Sequence, residues 1–390
     1  MLRRLIARYE ENLLDSVLPF WLRHSLDRDY GGYFTCLDRE GGVYDTRKYV
    51  WLHGRAAWTF SKLYNEVEPR PEWLDAARLI LEFTRRHAFD PQGRCYFSLT
   101  REGRPSFYQR KPYAAVFVAL GLIEYSKTGA PGPFLEEAID LFWRIRDWIA
   151  HPALLGRPVY HPGARVSQLA DIMVVALLAL ELAKIDPDPR YREILAECLD
   201  AALRHYFPPR RTLLETISSD GRFLLDSPEG RLVSPGSALE VAWFLLDLLD
   251  WRPDPAKEAR VFEIIEGSLD YGWDKEYGGL YYFMDVEDRP TLQLEANMKL
   301  WWPHTEALYA LIRAWLRTGE ARWLRWLELV DEYAFRVFAD PRHGEWFGYA
   351  DRAGNLTHTL KGNNYKGCFH VPRFLLLSLQ ALKRHAPPQA

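Results

Sequence analysis

Lys299-Leu300-Trp301-Trp302-Pro303-His304-Thr305-Glu306-Ala307-Leu308 starts as an aromatic run and continues as an apolar-periodic helix to about Trp315. Proline is tolerated in the first turn of a helix, where its missing N–H has no intrahelical acceptor. His304 and Glu306 therefore belong to that first turn, beneath a ledge of Trp301 and Trp302, at the mouth of whatever the helix lines. They read either as part of a site or as braces of a helix end. Just upstream, Asp274-Lys275-Glu276-Tyr277-Gly278-Gly279-Leu280-Tyr281-Tyr282 reads as a short hairpin leading into the helix.

The same phrase recurs along the chain. Asp29-Tyr30-Gly31-Gly32-Tyr33-Phe34 leads into a helix near His53, and Asp90-Pro91-Gln92-Gly93-Arg94-Cys95-Tyr96-Phe97 into one from Tyr113. Asp340-Pro341-Arg342-His343-Gly344-Glu345-Trp346-Phe347 leads to Phe369-His370-Val371-Pro372. A weaker copy runs from Arg210 to Pro235-Gly236-Ser237, and the poorest lies between His151 and Arg165. The six copies recur at roughly 55 to 70 residues, and a fixed period outranks local assignment when a fold is read. One helical pattern ends before each phrase and another starts after it, with apolar residues at i, i+3, i+4 and i+7. Those at Tyr113–Tyr125 and Ser167–Leu182 are apolar almost all round, as for helices buried on every side. Twelve helices in six pairs predict an all-α chain: an (α/α)6 barrel of six helical hairpins with short β-hairpins at one rim. An open solenoid is the alternative. In the barrel the inner helices start at one end, so Arg55, Lys111, Tyr113, Ser167, Gln168, Ser237, Glu240, His304, Glu306 and His370 are expected to converge on one pocket.

Composition narrows the function classes. No linker or low-complexity tract divides the 390 residues, so residues 1–390 are expected to form a single domain. A net charge of −3 argues against nucleic acid as the main partner. The chain carries 15 Trp, 21 Tyr and 20 Phe. Most of them serve a large core, and a handful would suffice to stack on a sugar. The four cysteines, Cys36, Cys95, Cys198 and Cys368, match no zinc spacing and fit reduced thiols, hence a cytoplasmic location. No signal-peptide pattern or membrane span is expected. No His/Asp/Glu cluster has metal-ligand spacing and no glycine-rich phosphate loop follows a strand, so neither metal nor cofactor is expected. Of the loop histidines, His161 alone is placed where it could reach the pocket mouth.

Lys48-Tyr49-Val50-Trp51-Leu52-His53-Gly54-Arg55, Pro235-Gly236-Ser237-Ala238-Leu239-Glu240, Met298-Lys299-Leu300-Trp301-Trp302-Pro303-His304-Thr305-Glu306-Ala307, Gly344-Glu345-Trp346-Phe347-Gly348-Tyr349 and Lys366-Gly367-Cys368-Phe369-His370-Val371-Pro372-Arg373 resemble the N-acylglucosamine 2-epimerase family. The matches fall between about residue 29 and residue 375. The resemblance implies an (α/α)6 barrel and metal-independent epimerisation or isomerisation of a small-molecule sugar, and it is consistent with a homodimer. It implies that His370 is a catalytic acid/base and that Arg55, Glu240 and Glu306 bind or orient the open-chain sugar, with His304 close behind.

Ser237 departs from the family pattern, standing where a second catalytic histidine is expected. His53 stands where members often carry glutamine. The catalytic set is thus His370, Arg55, Glu240, Glu306 and Ser237. His304, Trp301, Trp302, His53, Tyr113, Gln168 and Lys111 are expected to contact the sugar.

Inversion at C2 of an aldose requires removal of the proton α to the C1 carbonyl and its return on the other face. Histidine suits this because its pKa lies near working pH. An unaided serine hydroxyl cannot act as the base, so three readings stand. His53, His304 or a water held by Ser237 and Glu240 takes over; or His370 alone shuttles a proton between C2 and C1, giving aldose–ketose isomerisation on a neutral sugar such as mannose; or the scaffold binds a sugar or protein without turnover. A glycoside hydrolase using Glu240 and Glu306 as its carboxylate pair is a further alternative.

Overall fold

The computed structural model describes residues 2–157 and 165–385. The helices are α1 (Leu2–Glu11), α2 (Leu18–His24), α3 (Val50–Glu66), α4 (Pro71–His87), α5 (Tyr113–Ser126), α6 (Phe134–Ala150), α7 (Leu169–Leu182), α8 (Arg190–Arg204), α9 (Pro235–Trp251), α10 (Pro255–Gly272), α11 (Trp301–Thr318), α12 (Ala321–Phe338) and α13 (His370–His385). A π-helical turn at Asn12–Val17 separates α1 from α2. Pro19 has no N–H to continue the regular ladder, and the wider turn forms just before it.

The odd-numbered helices from α3 to α13 form an inner ring in which each packs on the next, and α13 packs back on α3. Outside it, α4, α6, α8, α10 and α12 each pack on the inner helix before them, and α1 covers α13. This is the closed (α/α)6 barrel, and the open solenoid is excluded. Burial follows position: α5 is buried from Ala114 to Tyr125, whereas the outer helix α4 buries one stripe, Trp73, Ala76, Ala77, Ile80, Leu81, Phe83 and Thr84. Gly54 marks the tightest approach in the ring, since a Cβ there would run into the Phe117 carbonyl of α5. No described helix is long and apolar enough to cross a membrane.

The expected β-elements lie at one rim, and many of their pairings join one repeat to the next. The residues just before an inner helix pair antiparallel with the following copy: Tyr49 with Ser98, Ser167 with Ile217, Val233 with Met284, Leu300 with Tyr349. At the seam, the Lys361 N–H donates to the Leu37 carbonyl (2.9 Å), tying the last copy to the first.

Buried ion pairs repeat the stitching. Lys48, Lys299 and Lys361 reach Asp27, Asp274 and Asp340 of their own copies at 2.9, 3.1 and 2.9 Å. The same three carboxylates take Arg101, Arg352 and Arg39 from neighbouring copies. Burial opposes ionisation of Asp27, but the hydrogen bonds from Arg101 and Lys48 outweigh it and bring the carboxyl to about 2. The starts of α3 and α5, of α11 and α13, and of α13 and α3 are thereby fixed relative to each other.

Candidate active site

Arg55, Glu240 and Glu306 occupy equivalent places, each the sixth residue of its inner helix counting from Val50, Pro235 and Trp301. His370 opens α13. Their side chains meet at the rim end of the ring. Arg55, Glu240 and His370 line a basin of about 470 Å³, walled by Trp51, Trp301, Trp302, Tyr282, Tyr349 and Tyr365.

Glu306 stands behind His370. Its Oε1 accepts from His370 Nδ1 (2.8 Å) and from the Arg373 guanidinium (2.8 Å), and its Oε2 accepts from Trp243 Nε1 (2.9 Å). A carboxylate only accepts, so the His370 proton sits on Nδ1, and Nε2 keeps its lone pair for the basin. Arg373 also passes Nδ1 at 3.3 Å, but its donors are engaged by Glu306 and by Glu240 Oε1. Burial, then the Arg373 and Arg55 charges, hold His370 well below its ordinary value, so the ring is neutral near pH 7. Trp301 and Trp302 pack on the imidazole at centroid distances of 6.3 and 5.8 Å.

Arg55 is a buried cation with no carboxylate directly on it among the described residues. Its guanidinium lies over Phe117, Trp51 and Phe369 at 3.9, 4.4 and 4.8 Å, and its Nε has no hydrogen-bond partner among the described residues. Burial lowers its pKa to about 9, which leaves it charged at neutral pH. Such a cation, held by aromatic faces and facing the basin, suits a developing oxyanion.

Arg373 was not singled out from the sequence, although it lies one turn beyond His370 on the same helix face. That spacing is the signal that could have found it. Donor atoms of Glu240, Glu306 and His370 all lie within 4.8 Å of one another, a separation that a metal ion could bridge. The Arg373 guanidinium, hydrogen-bonded to both carboxylates, supplies the balancing charge at that spot.

His53 and His304 are turned away from the basin. His304 Nδ1 donates to the Leu300 carbonyl (2.6 Å), and Nε2 accepts from the Leu280 N–H (3.0 Å). His53 does the same between the Tyr49 carbonyl (3.1 Å) and the Tyr33 N–H (3.2 Å). Burial brings both imidazoles to about 3. With both ring nitrogens on backbone, neither contacts a sugar nor replaces the second base. A glutamine at His53 would offer the same donor–acceptor pair.

Trp301 and Trp302 are at the basin as expected. Lys111 is exposed, Tyr113 donates to Asp171 Oδ1 (2.8 Å), and Gln168 sits in a strand paired with Thr216; none is among the residues around the cavity. Ser237 lies one turn before Glu240 on α9, part-exposed, its N–H capped by Ser234 Oγ (3.3 Å). His161 lies outside the described residues.

The fold defines an (α/α)6-barrel protein with a buried His–Glu–Arg constellation at the inner helix starts. Within that class, the chain belongs to the N-acylglucosamine 2-epimerase (GlcNAc 2-epimerase) family, whose profile matches residues 32–371. N-acylglucosamine 2-epimerase of Mus musculus is 40% identical over 380 residues, covering 95% of this chain and 90% of the relative. The structure of cellobiose 2-epimerase from Spirochaeta thermophila aligns with a TM-score of 0.83 at 21% identity, covering 98% of both chains. A crystal structure of D-mannose isomerase gives 0.81 at 16% identity, covering 97% of each.

Proposed function

We propose that this protein is a sugar 2-epimerase that interconverts N-acetylglucosamine and N-acetylmannosamine through the open-chain form. One observation carries the reading: a neutral imidazole, its proton fixed on the far nitrogen by Glu306, opens onto a cavity shared with the unpaired Arg55 guanidinium. His370 Nε2 takes the C2 proton, and Arg55 receives the charge that moves onto the C1 oxygen. Glu240, one oxygen held by Arg373, offers the other to a sugar hydroxyl. The tryptophan walls exclude water and stack on the ring-opened chain. No step calls for a metal, and residues 1–390 act as one catalytic unit. The N-acetylated substrate is favoured by identity to the mouse N-acylglucosamine 2-epimerase over nearly the whole chain.

A second reading rests on Ser237. Among the described residues the basin holds a single imidazole, because His53 and His304 are engaged by backbone. One base on one face can move a proton from C2 to C1, which yields a ketose from a neutral aldose. Incubation in heavy water with N-acetylglucosamine and, separately, mannose decides between them. The 2-epimer of the acetamido sugar with deuterium at C2 is the expected product, and His370→Ala should remove it. A ketose from mannose with no epimer from N-acetylglucosamine would establish the isomerase instead.

A further inference from the structure

The sixth copy departs from its siblings at the point where His370 enters the basin. In the first and fifth copies the turn after Asp27 and Asp274 ends in glycine at positive φ, Gly32 (+73°) and Gly279 (+77°). The N–H after each glycine donates to a histidine of the inner helix, Tyr33 to His53 and Leu280 to His304. A Cβ on Gly32 would stand 2.6 Å from His53 Nε2, so a side chain in the turn and a histidine behind it exclude one another. In the turn after Asp340 that place is taken by Glu345, buried and at φ +51°, a conformation that favours glycine. His53 and His304 stand five residues after Lys48 and Lys299, and the residue five after Lys361 is Lys366.

Glu345 does what the histidine does elsewhere, and more. Its Oε1 accepts from the Trp346 N–H (2.8 Å) and from Lys366 Nζ (2.7 Å), and its Oε2 accepts from Trp21 Nε1. Lys366 Nζ also donates to the Lys361 carbonyl (2.8 Å), and the Lys366 carbonyl accepts from the Asn363 N–H (3.0 Å). These bonds tie down the lead into α13, which runs nine residues from Lys361 to His370, whereas Lys48 and Lys299 stand two residues before α3 and α11. With the longer lead, α13 brings its first residue, His370, to the basin. Trp301 meets the same pair from the other side. A Cβ on Gly348 would stand 2.9 Å from Lys366 Cδ and 3.3 Å from Trp301 Cε3, so the lysine stem and the indole close on one glycine. Lys366 Nζ lies 5.7 Å from the centroid of the Trp301 ring, which packs on the imidazole.

We propose that Glu345 and Lys366 are positioning residues for His370, a buried ion pair that fixes both the imidazole and its Trp301 wall where the sibling copies use a histidine to fix the turn alone. The inference rests on the epimerase reading. Among the described residues, the charged groups around the imidazole are Glu306 on α11, Glu240 on α9, Arg55 on α3, Arg373 on α13 and Lys366, with Tyr282, Tyr349 and Tyr365 around the basin.

Lys366→Met and Glu345→Gln, made singly and together, separate positioning from folding. Each single change leaves a buried charge without its partner, and the double variant leaves none. The double variant should therefore melt above either single one. Its kcat on N-acetylglucosamine should nevertheless stay at least about tenfold below wild type, with KM within about threefold. In Lys366→Met the imidazolium loses a neighbouring cation, so the acid limb of kcat/KM should move up by about half a pH unit, and Lys366→Arg should keep the wild-type limb. If the double variant does not fold, the limbs of Lys366→Met and Lys366→Arg decide. A double variant with kcat within about threefold of wild type, or an acid limb unmoved in Lys366→Met, would reduce the pair to a brace of the fold and overturn the proposal. Wild type without turnover of N-acetylglucosamine would instead overturn the epimerase reading itself.

Discussion

Glu306 holds His370, Arg373 and Trp243 at once, and so dictates what the imidazole can do. An amide in its place has one acceptor oxygen where the carboxylate has two, and its NH2 cannot accept from Nδ1–H. Glu306→Gln should therefore release the His370 tautomer and leave Arg373 without half its charge balance. Because Glu306 stands behind His370 and away from the cavity, kcat should fall by about 10²- to 10⁴-fold with KM little changed. Steady-state kinetics on N-acetylglucosamine measure the split. A raised KM with kcat intact would mean that Glu306 holds the sugar directly. The acid limb carries a second expectation. His370 is depressed by burial and by the two arginines, so the wild-type enzyme should keep its base form well below pH 6.5.

The inner helix starts obey a rule that explains both the success and the failure of the sequence reading. Positions two apart on a helix point in different directions, so in His53-Gly54-Arg55 and His304-Thr305-Glu306 only one partner can face the basin. The repeats, the helix boundaries and the converging residues Arg55, Glu240, Glu306 and His370 were legible because period and apolar spacing encode them. The direction of His304 was not, since the sequence shows an ionisable residue in a first turn without showing which neighbour its ring nitrogens meet. Nor do strands two or three residues long announce that their partners lie in the next copy. The buried histidines make this structural role measurable. Unfolded, each titrates near 6.5; folded, His53 and His304 titrate at about 3. Between those values the unfolded chain binds the extra protons, so stability rises with pH and is lost as pH falls from 6.5 towards 3. Each imidazole contributes about 1.4 kcal/mol per pH unit across that window. Urea unfolding at pH 7.5 and pH 5 should show the loss, and His304→Gln, which keeps one donor and one acceptor, should shallow it by about one proton. An unchanged slope would mean that another group governs the acid limb.

The ring is sealed from outside by its first helices, which pack on α13 and reach residues of the last copy. The Tyr9 hydroxyl donates to Asp331 Oδ1 (2.8 Å), Arg8 pairs with Asp331 Oδ2 (2.6 Å), and Trp346 Nε1 donates to Asn12 Oδ1 (2.9 Å). Trp21 Nε1 reaches Glu345, which also holds Lys366, four residues before His370. Leu5, Tyr9, Leu13, Val17 and Trp21 are buried in the same core as Phe374 and Leu375. A solenoid tolerates loss of a terminal unit because each repeat contacts only its neighbours. A ring does not, since the first unit is also the neighbour of the last. A chain beginning at residue 26 leaves Asp331 and Glu345 buried or half-buried without these partners and uncovers the apolar face of α13. Removing one partner of a buried charge typically costs about 3–5 kcal/mol, of the order of a domain's whole stability. The truncated chain should therefore lose its near-ultraviolet circular dichroism and its cooperative melting transition, while retaining much of its far-ultraviolet helical signal. A truncated protein that still melts cooperatively within a few degrees of wild type would show that the remaining copies stand without closure, and that the site at the α13 start owes nothing to the seam.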